Sequence, residues 1–272
     1  MGVLNVTPDS FSDGGKLLAS GGAVDQSAVV ERAEEMLDAG ASIIDVGGES
    51  TRPGAHRVAA EEECERVIPV VEHLVKLDTM VSVDTNKTLV ARAALNAGAH
   101  LINDVRSGAD PGLIDSVAES GAALCLMHMQ GEPRTMQEQP VYRDLIAEVR
   151  QFLIDRVHVC RAAGMLKEHI VVDPGFGFGK TLSHNLELLR SLGELRKDSE
   201  LADVALAIGI SRKSMIGMLT DREVGERDGA SAVAAALGVE RGANIVRTHN
   251  VAATLDALRV TNAVMGSPEH AA

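Results

Sequence analysis

The chain has 272 residues, of which 45% are hydrophobic, and its 39 acidic and 26 basic side chains leave a formal net charge of −13. The apolar content excludes wholesale disorder. The negative charge, with no Trp, one Tyr and four Phe, argues against a nucleic-acid surface, which needs clustered basic side chains and stacking aromatic rings.

No apolar run approaches the roughly 20 residues that a membrane-spanning helix needs. The three cysteines, Cys64, Cys125 and Cys160, are far apart and form no C-x-x-C pair. We expect them to be reduced, buried thiols. The composition therefore predicts a soluble, acidic, cytoplasmic α/β protein.

One pattern recurs along the chain: a helical stretch ends at Gly, and a short apolar run follows that ends in a polar residue. Residues 38–45 (DAGASIID) and 96–103 (NAGAHLIN) are two examples. Gly suits the left-handed residue after a helix, and a short Ile/Val-rich run suits a strand buried on both faces. The predicted strands are Val3–Val6, Ile43–Val46, Val81–Asp84, Leu101–Asn103, Leu124–Met127, Ile170–Asp173, Val204–Ile208 and Asn244–Arg247.

Helices are predicted between these strands, since Val29, Ala33 and Met36 recur at helical spacing, as do Val67, Val71 and others further on. Eight strands alternating with helices over roughly 250 residues are typical of a (β/α)8 TIM barrel. An open doubly wound sheet is the alternative, which the lack of G-x-G-x-x-G after the first strand disfavours. We predict a single domain over residues 1–272.

Polar side chains stand at the ends of the predicted strands. They are Asn5, Asp45, Asp84, Asn103, His128, Asp173 and Arg247. Any one of them is explained by a cap or a turn. A whole ring of them at the carboxyl ends of barrel strands predicts a functional site, because that end carries the sites of this fold.

The loops after the strands suggest anion binding. Ser211, Lys213, Arg247 and His249 follow the last two strands, where this fold usually binds phosphate, and predict an anion pocket. Arg212 between them is expected to be a solvated side chain. The Gly-rich segment 173–180 (DPGFGFGK) ends in Gly-Lys-Thr, but it lacks the spacing of a phosphate-binding P-loop.

Several motifs, in order, resemble those of the bacterial dihydropteroate synthases. They are residues 2–15 (GVLNVTPDSFSDGG), 45–54 (DVGGESTRPG), 82–85 (SVDT), 102–104 (IND), 127–131 (MHMQG), 173–180, 211–213 (SRK) and 247–249 (RTH). Members of that family usually carry a short segment before the first strand. This sequence starts at the edge of that strand, so we expect that segment to be missing from the domain.

The resemblance implies a transferase of folate synthesis that joins 6-hydroxymethyl-7,8-dihydropterin diphosphate to para-aminobenzoate and releases pyrophosphate. It implies three groups of binding residues. The pterin would be held by Asp84, Asn103, Met127, Asp173 and Lys213. The diphosphate would be held by Asn5 through Mg2+, and by Thr51, Arg247, Thr248 and His249. Para-aminobenzoate would be held by Phe11, Ser50, Thr51, Arg52, Pro53, Phe176 and Ser211.

The implied chemistry is dissociative: pyrophosphate leaves, a cation forms at the pterin methylene and the aromatic amine attacks it. Arg247, His249 and the metal would stabilise the departing charge, Asp13 would stabilise the cation, and Lys213 completes the implied catalytic set. The resemblance also implies a cytoplasmic homodimer and competitive inhibition by sulfonamides, which share the aniline ring of para-aminobenzoate.

Two alternatives stay open. A pterin-binding methyltransferase would have a similar Asp/Asn pocket, but it has no diphosphate to hold, so the 211–213 and 247–249 motifs count against it. A non-catalytic pterin-binding relative would be expected to lose residues of the loops after the first two strands, and these residues are present here.

Overall fold

The computed structural model describes residues 1–7, 25–50, 57–132, 135–197 and 200–266. The eight strands are β1 (Gly2–Asn5), β2 (Ile43–Gly47), β3 (Met80–Asp84), β4 (Leu101–Asp104), β5 (Ala123–Met127), β6 (Ile170–Asp173), β7 (Ala205–Ile208) and β8 (Ile245–Val246). Every predicted strand is confirmed to within two residues at each end.

The helices are α1 (Gln26–Asp38), α2 (Ala60–Val75), α3 (Thr88–Asn96), α4 (Leu113–Ser120), α5 (Leu145–Ala162), α6 (Leu182–Arg190), α7 (Ser214–Thr220), α8 (Asp228–Glu240) and α9 (Val251–Met265). Glycines end several of these helices in the left-handed region, as the repeated pattern predicts; Gly40, for example, has φ +94° and Gly98 has φ +99°. Among the described residues, no helix has the length and apolar character needed to cross a membrane.

The strands form one parallel α/β sheet in the order β1 to β8, each paired with the next along the chain. Gly2 and Thr248 form an isolated parallel bridge between the first strand and the segment after the last. Val3 N donates to Thr248 O at 2.9 Å and Thr248 N donates to Met1 O at 3.0 Å. The curled sheet therefore brings its first strand within hydrogen-bonding distance of the segment that follows its last strand.

The two faces of the sheet bury different side chains. Large aliphatic residues such as Ile44, Val83 and Leu126 point outward and pack with the helices into the main core. A smaller cluster, Leu101, Cys125, Val171 and Ala207, packs separately, on alternate strand positions. Because strand side chains alternate, the polar residues that continue these positions lie above the smaller cluster, at the carboxyl ends of the strands.

The three cysteines are free. Cys125 and Cys160 are buried as predicted, whereas Cys64 is only half-buried because it lies at the edge of the buried face of α2. No cysteine therefore contributes a disulfide to the sheet or to the helices around it.

Candidate active site

Strand register brings the predicted polar ring together. Asn5 pairs with Gly47, Gly47 with Asp84, and Asp84 with Asn103, so these residues stand side by side on β1 to β4. Met127 and Asp173 pair in the same way on β5 and β6. Asp84, Asn103, Met127 and Asp173 are all at least nine-tenths buried. Polar groups at this depth need partners, since an unpaired buried polar group is costly.

The polar side chains on β2, β3 and β4, and that of Arg247 directly after β8, bind one another. Asp45 is fully buried and accepts hydrogen bonds from Ser82 Oγ at 2.6 Å and Asn103 Nδ2 at 3.1 Å. Arg247 Nε donates to Asp45 Oδ2 at 2.5 Å, and Arg247 Nη2 donates to Asp84 Oδ2 at 2.8 Å. We call Asp45, Asp84, Asn103 and Arg247 the carboxylate side. One guanidinium there is shared between two carboxylates.

The charges on the carboxylate side depend on one another. Burial raises the pKa of Asp84 to about 7, against the lowering effect of Arg247, and the neighbouring Asp45 raises it further. Burial disfavours the charge on Arg247, but Asp45 and Asp84 outweigh burial and hold its pKa above the ordinary value. Arg247 therefore stays cationic, while Asp84 can change its protonation near neutral pH.

The other half of the strand ends is organised differently. Lys213 Nζ donates to the backbone oxygen of Phe176 at 2.6 Å and stands 4.6 Å from the centre of the Phe178 ring. Asp173 Oδ1 accepts from Gly175 N at 2.7 Å. We call Asp173, Phe178 and Lys213 the lysine side. Burial lowers the pKa of Lys213 to about 8 and raises that of Asp173, and each charge partly offsets the effect on the other.

A third group joins the loops after β7 and β8. Ser211 Oγ accepts from His249 N at 3.1 Å and contacts His249 Nδ1 at 3.0 Å. Thr248 Oγ1 pairs with Thr254 Oγ1 at 2.8 Å and donates to Ser211 Oγ at 3.5 Å. Of the four residues of the predicted anion pocket, Ser211 and His249 are thus in contact, with Thr248 beside them. Arg247 instead binds Asp45 and Asp84, and Lys213 binds the backbone oxygen of Phe176.

Arg212 corrects a prediction. Its guanidinium binds Asp228 through both Nε, at 2.7 Å, and Nη2, at 3.0 Å, and its side chain is only 13% exposed. Its backbone is left-handed, with φ +59°, and its amide donates to Ser231 Oγ at 3.0 Å. The expected solvated side chain is therefore wrong, because a bidentate ion pair fastens this loop to the start of α8.

The aromatic residue chosen from the loop after β6 is also corrected. The Phe176 ring is fully buried in the main core, so it packs against the helices and presents only its backbone oxygen to Lys213. Phe178 instead belongs to a small cluster with Met127, Met136 and Val105 beside the strand ends. Phe178, which the sequence did not single out, places its ring beside Lys213 and Met127 at the site.

Five predicted residues lie outside the described residues: Phe11, Asp13, Thr51, Arg52 and Pro53. Ser50, the last described residue before 51–56, is half-buried.

The sequence analysis did not predict that Asp45 is the shared hydrogen-bond acceptor of the ion-pair network. A carboxylate between Ile44 and Val46 in the middle of a buried strand was the available signal, because such a charge needs a partner.

Comparisons with known proteins agree with this geometry. A family model described as pterin binding enzyme matches residues 1–249. The dihydropteroate synthase of Escherichia coli strain K12 is 48% identical over 271 residues, which cover 99% of this chain and 93% of that protein. That of Haemophilus influenzae is 46% identical over 264 residues, covering 97% of this chain and 92% of that protein.

Solved structures are equally similar. The dihydropteroate synthase of Yersinia pestis in a sulfonamide drug complex superposes with a TM-score of 0.91 at 44% identity, covering 98% of this chain and 94% of that chain. That of Burkholderia cenocepacia complexed with 7,8-dihydropteroate gives 0.87 at 45% identity, covering 99% and 92%. This chain therefore belongs to the dihydropteroate synthases, a family of pterin-binding enzymes.

Proposed function

We propose that this enzyme condenses 6-hydroxymethyl-7,8-dihydropterin diphosphate with para-aminobenzoate to give 7,8-dihydropteroate and pyrophosphate. The observation that carries the proposal is the buried row of Asp84, Asn103 and Asp173 with Lys213 beside it, in a chain 48% identical to a dihydropteroate synthase. Carboxylate, amide and ammonium groups match the donors and acceptors along the edge of a pterin.

We assign the pterin to the space between the two sides of the site. Asp84, Asn103 and Asp173 would bind its polar edge, with Lys213 as a donor. Met127 and Phe178 would contact the flat faces of the ring, and their cluster beside the lysine side supports this assignment. Phe176, which the resemblance assigns to para-aminobenzoate, is left out of that pocket because its ring is fully buried in the main core.

We assign the diphosphate to Ser211, Thr248 and His249, with Asn5, Thr51 and Arg247 as predicted. The contacts of Ser211 with both the amide and the imidazole of His249 support this placement. Binding of an anion near Arg247 would compete with the carboxylates that hold it in this structure. The guanidinium would then stabilise the departing pyrophosphate, an interaction that grows as the bond breaks.

We propose Mg2+ as the cofactor. The described residues hold no cluster of three or more His, Cys, Asp or Glu side chains that could bind a metal. The half-buried Asn5 supplies an amide oxygen. This oxygen lies beside Gly47 of β2, since a Cβ added to Gly47 would be 3.6 Å from it. A single neutral oxygen fits a magnesium ion that is bound mainly by diphosphate and water. Bound Mg2+ would neutralise charge on the leaving group, and removal of Mg2+ by EDTA should stop turnover reversibly.

We place para-aminobenzoate at Ser50 and Ser211, with Phe11, Thr51, Arg52 and Pro53 as further predicted contacts. Asp13 would stabilise the cation at the pterin methylene. The solved relative from Xanthomonas albilineans with 4-aminobenzoic acid, at 46% identity, supports this class of second substrate. Sulfonamides should inhibit competitively, and inhibition that excess para-aminobenzoate fails to relieve would contradict this assignment.

The test of the proposed function is pyrophosphate release measured with both substrates and Mg2+. We expect turnover that needs each of the three components. Release of pyrophosphate without formation of dihydropteroate would contradict the condensation. Methyl transfer from a methylated tetrahydrofolate would instead favour the methyltransferase alternative, and pterin binding without any turnover would favour the non-catalytic one.

We also infer that the sheet closes into a full (β/α)8 barrel and that residues 1–272 form a single domain. The hydrogen bonds of Thr248 with Met1 and Val3 support closure, because they continue the parallel pairing from the last strand to the first. Hydrogen exchange should find these two amides protected like those between neighbouring strands. Rapid exchange of both would contradict closure.

We further propose a cytoplasmic homodimer. Several apolar side chains on α7, α8 and α9 are largely exposed: Met218, Leu219, Val233, Val260, Val264 and Met265. Exposed apolar patches of this kind often mark an interface. Light scattering should give twice the monomer mass, and Val264→Glu should lower it.

A further inference from the structure

We propose that Lys180, a buried lysine with no part in the reaction described above, is a positioning residue. It holds the loop after β6 in the conformation that presents Phe178 and Lys213 to the pterin. The inference rests on the proposed function, because it assigns the pterin to the lysine side. Lys180 is only 2% exposed and lies at the end of the loop, two residues before the start of α6.

The ammonium of Lys180 is surrounded by acceptors from two neighbouring strand ends. Lys180 Nζ donates to Gly175 O at 3.0 Å and to Phe178 O at 3.1 Å, both in its own loop. It also donates to His128 Nδ1 at 2.9 Å and lies 3.5 Å from His128 O, at the end of β5. Lys180 therefore connects the loop after β6 to itself and to the end of the neighbouring strand β5.

The loop lies directly on the chain that follows β5. Gly175 has φ +71°, and a Cβ there would lie 1.9 Å from His128 O. Gly179 has φ +60°, and a Cβ there would lie 2.3 Å from Gln130 O. Only glycine permits such a close approach of backbone to backbone, so the carbonyl groups converge on Lys180.

The carbonyl groups that converge on Lys180 fix the positions of Phe178 and Lys213, the two groups that face the pterin site. Phe178 contributes its backbone oxygen to Lys180 and its ring to the contact with Lys213. Lys213 in turn donates to Phe176 O, two residues before Phe178. If the ammonium were removed, Gly175 O, Phe178 O and His128 Nδ1 would each lose a donor, and the loop would relax to find new ones.

A positioning role explains why a lysine is buried at the end of the loop after β6. Among the described residues, no carboxylate forms an ion pair with Lys180; its hydrogen-bonding neighbours are carbonyl groups and one imidazole. Burial lowers the pKa of His128 to about 3, so its ring is neutral and can accept the bond. Burial lowers the pKa of Lys180 to about 7, and the charge of Asp173 partly offsets this effect. In its ammonium form the three N–H groups of Lys180 match Gly175 O, Phe178 O and His128 Nδ1.

The test uses Lys180→Met, which keeps the length of the side chain and removes its donors. We expect the dissociation constant for 6-hydroxymethylpterin, measured by calorimetry, to rise at least tenfold. The dissociation constant for inorganic pyrophosphate with Mg2+ and the KM for para-aminobenzoate should change less than twofold. Lys167→Met, at a lysine whose ion pair with Asp203 lies on the surface, is the matched control and should change none of these values.

A second variant keeps the test valid if Lys180→Met does not fold. His128→Asn alters one acceptor and should raise the dissociation constant for 6-hydroxymethylpterin by a smaller factor. The dissociation constant for pyrophosphate should again change less than twofold. Equal weakening of pterin and pyrophosphate binding, or unchanged pterin binding in a folded variant, would overturn the positioning role. A wild-type enzyme that binds pterin without making dihydropteroate would instead overturn the proposed function and leave the positioning result measurable.

Discussion

The carboxylate side and the lysine side both lie at the carboxyl ends of the strands, yet they stabilise their charges in different ways. On the carboxylate side, Arg247 binds Asp45 and Asp84 directly, and thereby joins β8 to β2 and β3. On the lysine side, the closest polar partner of Lys213 is a backbone oxygen, and the lysine also stands over an aromatic ring.

This difference predicts which variants lose stability and which lose ligand binding. Breaking a buried ion pair leaves an uncompensated charge, which is strongly destabilising. Removing a group that faces mainly a loop and a ligand affects binding more than folding. We therefore expect variants on the carboxylate side to lose both stability and activity, and variants on the lysine side to lose pterin affinity first.

The largest effect is expected for Arg247→Met. The variant leaves Asp45 and Asp84 close together without their shared cation, and should lower the free energy of unfolding by about 3–5 kcal/mol. Pyrophosphate release should fall by roughly 10²–10³-fold, as for loss of one donor to a departing charge. Urea unfolding and the release assay measure the two effects. Arg259→Met, at an exposed arginine on α9, is the control; an unchanged urea midpoint for Arg247→Met would refute the ion-pair assignment.

The two phenylalanines of the loop after β6, Phe176 and Phe178, allow loss of stability and loss of pterin binding to be compared within one segment. Phe176→Ala should cost about 3–5 kcal/mol of stability, because the ring is fully buried in the main core. Phe178→Ala should cost less stability but should raise the KM for the pterin diphosphate. Thermal unfolding and initial rates on both variants separate the roles. A larger rise in this KM for Phe176→Ala than for Phe178→Ala, in a folded protein, would contradict the assignment of Phe178 to the pterin.

Asp173→Ala tests the lysine side directly. We expect a loss of roughly 1–3 kcal/mol in pterin binding, because a buried donor pair on the ligand loses its acceptor. Stability should change little, since the one hydrogen bond Asp173 accepts from its own loop is local. Calorimetry with 6-hydroxymethylpterin measures the loss, and Asp203→Ala, at an exposed aspartate, is the control. Unchanged pterin affinity would show that Asp173 does not contact the ligand.

The smallest effect is a pH dependence from the carboxylate side. Burial raises the pKa of Asp84 from 3.8 to about 7, so the folded protein binds more protons than the unfolded chain between those values. The contribution of Asp84 to stability therefore falls as the pH rises from about 4 to about 7. Asp84→Asn should lose less stability than the wild type between pH 5 and pH 7.5 in urea unfolding. Asp104, whose pKa burial raises to about 6, is present in both proteins and cancels in the difference. Identical pH profiles would show that Asp84 is already ionised at pH 5.

Much of this molecule was predictable because its signals are local. A run such as Ile43–Val46 between a glycine and a polar residue defines a buried parallel strand without reference to distant sequence. The order of the strands follows from the βαβ connections, which place successive strands side by side. The strand pattern and the strand order together predict where each strand ends, and so predict the ring of polar residues that contains Asp84, Asn103 and Asp173.

The partners within that ring were decided by the tertiary structure alone. Asp45 and Arg247 are 202 residues apart, and no local pattern says that the carboxylate accepts a bond from that guanidinium rather than from another. The choice between Phe176 and Phe178 depends on which way the loop turns, and that turn depends on Lys180 reaching His128, 52 residues away. Sequence determines short-range geometry through backbone sterics and hydrophobic burial. A buried charge, by contrast, takes the partner that strand register and loop packing bring within 3 Å, and that is a property of the whole fold.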